Sequence, residues 1–136
     1  MTLPIKNSFF LSSQKKSIEK LMSLTSEINL AIHLDEKNIP ERILWDATDA
    51  QQEGIKVTQA MLLALWDAKA KTGLSIDLWT KEMTVQEMNL FFYQTFITMS
   101  ETFQRATNNE AMAKMISTFA NEFIEEIKRQ EKIAAQ

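Results

Sequence analysis

Between Val85 and Phe103 the apolar residues Val85, Met88, Phe92, Phe96, Met99 and Phe103 recur at intervals of three and four, with Thr95 on the same stripe. Phe91, Tyr93 and Ile97 widen that stripe beyond what a surface helix needs. Thr84 and Glu87 stand just before it as T-x-x-E, in which the hydroxyl accepts from an early helix N–H and the carboxylate returns to the N–H of the cap. The pattern predicts a helix from Thr84 to Thr107, roughly 36 Å long at 1.5 Å per residue, that needs cover on more than one side. Upstream, Ile28, Leu30, Ile32 and Leu34 alternate with Asn29, Ala31 and His33, the period of a half-buried strand. Asp35 to Asn38 supplies turn chemistry before Pro40, and Glu41 to Ala47 reads as a second strand, antiparallel to the first. Ile43 and Trp45 point one way along it and Leu44 the other, and the pattern does not choose which faces inward. Thr48 to Lys56 is a polar loop. Thr58 is placed as the cap of a helix through Ala70, with Met61, Leu62, Leu65 and Ala68 inward and Gly73 just past its end. Leu74, Ile76 and Leu78 alternate with Ser75, Asp77 and Trp79 as a third strand, and Glu110 to Ile127 forms a final amphipathic helix behind Asn108 and Asn109.

These elements predict an α+β fold: a three-stranded antiparallel sheet of order 2-1-3, packed on one face by three helices. Residues 1–24 are expected to be a loosely attached arm carrying a short helix, residues 25–130 one domain, and residues 131–136 a frayed tail. The arm differs in charge from the rest. Lys6, Lys15, Lys16 and Lys20 face Glu19 alone through residue 21, a net +3 in a chain of net charge −3, which leaves −6 for the remainder. Phe9, Phe10 and Leu11 are too short an apolar run for a secretory signal.

The acidic balance argues against a nucleic-acid partner, which would call for a basic field. No apolar run approaches the ~18 residues of a membrane span. The absence of cysteine removes disulfides and thiolate metal sites and favours a reducing, cytoplasmic setting. A zinc site would have to gather carboxylates around His33, the single histidine, and the loop acids Asp46, Asp49 and Glu53 lack the spacing of a calcium loop. Gly54 and Gly73 are the only glycines, too few for a phosphate-cradling loop, and no nucleophile elbow accompanies His33. The expectation is therefore no catalytic residue, no metal and no cofactor. If Ile28, Leu30, Ile32, Ile76 and Leu78 face the helices, then His33, Asp77 and Trp79, with either Leu44 or Trp45, face away. A tryptophan among charges on an open sheet face has the composition of a docking patch. His33, Trp45, Asp77 and Trp79 are accordingly the candidate protein-binding residues. Edge strands add a route to self-association, a homo-oligomer. A pocket between the sheet and the long helix, lined by Met88, Phe92 and Phe96, is the alternative and would suit a small-molecule carrier.

Three stretches carry a family likeness: HLDEKNIPERILW from His33, LLALWDAKAK from Leu62, and SIDLWTKEMTVQEMNLFFYQTFITMSETFQRAT from Ser75. From Glu27 onward the chain resembles the gliding motility-associated GldC family of surface-gliding bacteria. The resemblance implies a non-enzymatic accessory protein whose partners are other gliding or secretion machinery proteins, and it brings no functional residue with it. The chain departs from the family in its longer basic arm and in lacking paired glycines after Ala47.

Overall fold

Alternation at the amino-terminal side of the fold is expressed as strand β1 (Ile28–Leu34), and β2 (Pro40–Ala47) returns beside it. The turn between them is built on Asp35. Its carboxylate accepts the N–H groups of Lys37 at 2.8 Å and Ile39 at 2.9 Å, while Asn38 adopts a left-handed φ of 61°, which asparagine tolerates. The structure is a computed structural model and describes residues 25–50 and 54–136. The arm expected over residues 1–24 lies outside the described residues.

A short strand β3 (Lys56–Thr58) completes a three-stranded sheet of order β1-β2-β3. The second strand is therefore central, where the order 2-1-3 had put the first. Three residues next to a polar loop carry no alternation to reveal them, so β2 gained a neighbour that the pattern could not show.

The larger correction concerns residues 58–70, where β4 (Ala60–Asp67) replaces the expected helix and pairs antiparallel with β5 (Thr72–Trp79) in a separate two-stranded sheet. Ala, Met and Leu favour a helix locally, but an apolar run of this length is ambiguous by periodicity and its pairing partner decides. The register is Ala60 to Trp79 through Asp67 to Thr72. The turn is held by the Asp67 carboxylate, which accepts from Lys69 at 2.8 Å and Ala70 at 2.9 Å, and by Lys71 at φ 55°. Gly73, expected as a helix stop, lies inside β5 opposite Trp66.

Among the described residues two helices follow, where three had been expected. Helix α1 (Val85–Thr107) starts as the sequence requires. Glu87 N–H donates to Thr84 Oγ1 at 3.2 Å and Thr84 N–H donates to the Glu87 carboxylate at 2.8 Å. Asn108 ends it at φ 52°, and Asn109 caps α2 (Glu110–Ala134) by accepting from Met112 N–H at 3.1 Å. Helix α2 runs beyond Ile127, supported by the ion pairs Glu125–Lys128 at 2.6 Å and Glu126–Arg129 at 2.5 Å. The two helices pack where side chains are small. Ala113 and Ala120 are buried, and the Ser100 hydroxyl donates to the Ala113 carbonyl at 2.6 Å. Beside that contact Phe96 meets Phe119 and Phe123 edge-on, with ring centroids 5.2 and 5.4 Å away.

The described residues divide into two compact units, 25–31 with 44–50 and 54–57, and 32–43 with 58–136. In the first, Glu27 and Thr48 exchange hydrogen bonds at 3.0 Å, the Asn29 amide donates to Asp46 at 2.9 Å, and the Ser26 hydroxyl donates to Asp49. In the second, Ile43 is fully buried, and Lys81, just past β5, bridges Glu41 at 2.6 Å and Asp35 at 3.5 Å. Its N–H also donates to the Pro40 carbonyl at 3.2 Å. The end of the β4–β5 hairpin is thereby tied to the start of β2.

Candidate functional site

Direct cross-strand partners share a face, so the hairpin register sorts its side chains into two sets. Ala60, Leu62, Ala64 and Trp66 stand with Trp79, Asp77, Ser75 and Gly73 on one face. Met61, Leu63 and Leu65 stand with Leu78, Ile76 and Leu74 on the other. The first face was expected to turn away from the helices. Instead its Ala60, Leu62, Asp77 and Trp79, together with Leu78, line a cleft of about 570 Å³ with Met88, Phe91 and Phe92 of α1. Thr84 fixes where α1 begins, and that start places Met88 and Phe92, at i+4 and i+8 from the cap, on the side that borders β5.

Trp79 keeps 57 % of its surface exposed at the cleft. Asp77, two residues back on the same face, is exposed and accepts a 3.4 Å hydrogen bond from the Ser75 hydroxyl. The lining is otherwise apolar, and the cleft offers one carboxylate and one indole edge amid aliphatic and aromatic carbon. An apolar side chain flanked by a hydrogen-bond donor or a cation would meet complementary groups there.

Asp77 and Trp79 come together on β5. His33 is exposed on β1, in the other sheet. Trp45 is on β2 within the other unit, half-buried, with the Lys56 ammonium 4.6 Å from the centre of its ring. That cation–π contact already occupies one face of the indole. Of the three residues assigned to a carrier pocket, Met88 and Phe92 line the cleft, while Phe96 is committed to the aromatic cluster with Phe119 and Phe123. Trp66 escaped the sequence reading because it was assigned to a helix. It is 66 % exposed and shares the hairpin face with Trp79. The run Met61 to Trp66 is apolar throughout and carries no alternation that could have found it.

Among the described residues no group of three or more histidine, aspartate and glutamate side chains is gathered to hold a metal ion. No described helix is long and apolar enough to cross a membrane.

Residues 40–129 match the sequence profile of the family described as gliding motility-associated protein GldC-like. No curated protein and no solved structure matches the chain.

Proposed function

The chain belongs to the gliding motility-associated GldC-like family, and on that premise we propose that it is a non-enzymatic adaptor of the gliding apparatus and its associated secretion machinery, working in the cytoplasm through protein contacts. The observation that carries this reading is Trp79, more than half exposed beside Asp77 at the mouth of an apolar cleft. Such an indole supplies large contact area at low entropic cost and is the residue type that dominates interface energies. Asp77 gives the contact its charge preference, and Trp66 extends the same face. The outer edges of the two-stranded sheet add backbone donors and acceptors that a partner strand can use. His33 and Trp45, on the other sheet, contribute separately from this cleft.

The test is affinity capture from a gliding strain with the wild-type chain and with Trp79→Ala. Removing an interface tryptophan weakens capture by at least about tenfold, while the thermal midpoint changes little because the ring is largely exposed. A large loss of stability with unchanged capture makes Trp79 a structural residue and ends this reading.

The carrier alternative is favoured by the cleft itself, since Met88 and Phe92 line it as a pocket between strand and helix requires. Native mass spectrometry of freshly purified protein separates the two readings: a co-purifying small molecule, lost on Phe92→Asp, supports the carrier.

A further inference from the structure

Asp77 is the single charge on the hairpin face that borders α1. Its direct cross-strand partner is Leu62, its diagonal neighbours are Ala60 and Ala64, and Ser75 and Trp79 flank it along β5. Helix α1 brings Met88, Phe91 and Phe92 to the cleft, none of them ionisable. Aspartate is depleted in strands, where it offers little to pack. Here it gains no counter-ion either, since the ion pairs among the described residues are made by Lys81, Lys128 and Arg129 and none reaches Asp77. The Ser75 hydroxyl donates to one of its oxygens at 3.4 Å and leaves the other open. Trp79 is in the same position: among the described residues no second ring and no cation packs on its indole.

The spacing of these two unused groups selects what satisfies both. Side chains two apart on a strand share a face roughly 7 Å from one another, so a flat cation resting on the indole reaches the carboxylate. Arginine does this with one side chain, because its guanidinium stacks on an aromatic face while its N–H fork fits a carboxylate. A lysine ammonium is a point charge without that fork. The cleft of about 570 Å³ has room for more than an arginine head, and Leu62, Met88 and Phe92 present only carbon to whatever fills the remainder. In an extended peptide, side chains two apart also lie on one face. One strand therefore supplies both groups when a single residue separates them.

Resting on the adaptor reading of this cleft, we propose that its occupant is an extended segment of a partner protein in which an arginine stands two residues from a large aliphatic side chain. The guanidinium is held between the Trp79 indole and the Asp77 carboxylate, and the aliphatic group is seated against Met88 and Phe92. The same carboxylate turns away an acidic segment of equal shape, so the charge of the partner is selected as well as its apolar anchor.

The test is isothermal titration calorimetry of the full chain with the acetylated and amidated peptide Leu-Ser-Arg-Ser-Leu, which offers the spacing in both chain directions. Its counterparts carry glutamine or glutamate in place of the arginine. The arginine peptide should bind at least about tenfold more tightly than the glutamine peptide, and the glutamate peptide more weakly than either. Asp77→Asn should abolish the arginine advantage and leave the affinity for the glutamine peptide as in wild type. Asp77→Lys should invert the order of the arginine and glutamate peptides, a gain that a misfolded chain cannot produce. Equal affinity for all three peptides, no binding of the arginine peptide, or an arginine advantage that survives Asp77→Asn overturns the proposal. So does binding of N-acetyl-arginine amide as tight as that of the pentapeptide, which would make the ligand a small cation. The two readings fail separately: capture lost on Trp79→Ala with the three peptides bound alike removes the arginine segment and leaves the adaptor, and unchanged capture with the arginine preference intact does the reverse.

Discussion

Ile43 and Thr80 show what burial costs when it succeeds and when it is incomplete. Ile43 is fully buried on the central strand β2, so Ile43→Ala removes its packing and leaves a void. A loss of about 2–5 kcal/mol is expected, read as a lowered urea midpoint with an unchanged slope. Thr80 is 2 % exposed, and its Oγ1 has no hydrogen-bond partner among the described residues, although its N–H donates to the Gln59 carbonyl at 2.8 Å. Burying an unpaired hydroxyl is unfavourable. Thr80→Val keeps the shape and discards that cost, and should stabilise the chain by about 1 kcal/mol. Neither position was legible beforehand. The sequence left Ile43 and Leu44 as equal choices for the inward face because its neighbour β3 is too short to show itself. It ended the third strand at Thr80 without any sign that the chain there is enclosed. Trp79 and Asp77, in contrast, stood out by residue type alone, and the structure adds that the face they share borders α1.

At the level of elements, legibility followed how much of each element's stability is local. Helix α1 begins at Thr84 as its capping pair requires, because both partners lie within one turn. Thr84→Ala should cost about 1 kcal/mol, measured by chemical denaturation. β1 and β5 were readable because alternation is their own property, and β2 because the turn residues from Asp35 and Pro40 mark its start. β4 was not, since Met61, Leu62, Leu65 and Ala68 satisfy a helical spacing equally well and only pairing with Thr72–Trp79 selects a strand. Ala64 discriminates the two outcomes. It lies exposed opposite Ser75, and Ala64→Thr would cost roughly 0.7 kcal/mol in a helix but should gain a few tenths in this strand, seen as a raised thermal midpoint. A lowered midpoint would count against the hairpin. α2 outran its expected end at Ile127 because its last turns are held by Glu–Lys and Glu–Arg pairs three residues apart rather than by an apolar stripe.

For the whole molecule, the carboxylates that make the chain acidic also set its response to acid. The Ile39 N–H holds the Asp35 carboxyl below its ordinary value, and the Thr84 N–H does the same for Glu87. Lys128 lowers Glu125, and the Arg129 guanidinium brings Glu126 down to about 2. Each group is more acidic in the folded chain than in the unfolded one, so the unfolded state binds protons first as pH falls. The stability they contribute is complete above the unfolded carboxylate range, near pH 4 to 5, and is lost as pH drops through the folded values toward about 2. Lys81 and Lys128 are raised, by Glu41 and Glu125 respectively, so their share is complete below the ordinary lysine value and is lost as pH climbs past it. Apart from the half-buried Asp35, these groups are solvent-exposed, and screening keeps each contribution small. The thermal midpoint should therefore be level from about pH 6 to 9, fall progressively below about pH 4.5, and fall less steeply in about 1 M salt, where the pairs already contribute little. Glu126→Gln should flatten the most acidic part of that curve, because the Arg129 guanidinium brings the Glu126 carboxyl down to about 2. A midpoint that rises on acidification would mean that burial of carboxylates, rather than their pairing, governs the fold, contrary to the exposed positions of Glu87, Glu125 and Glu126.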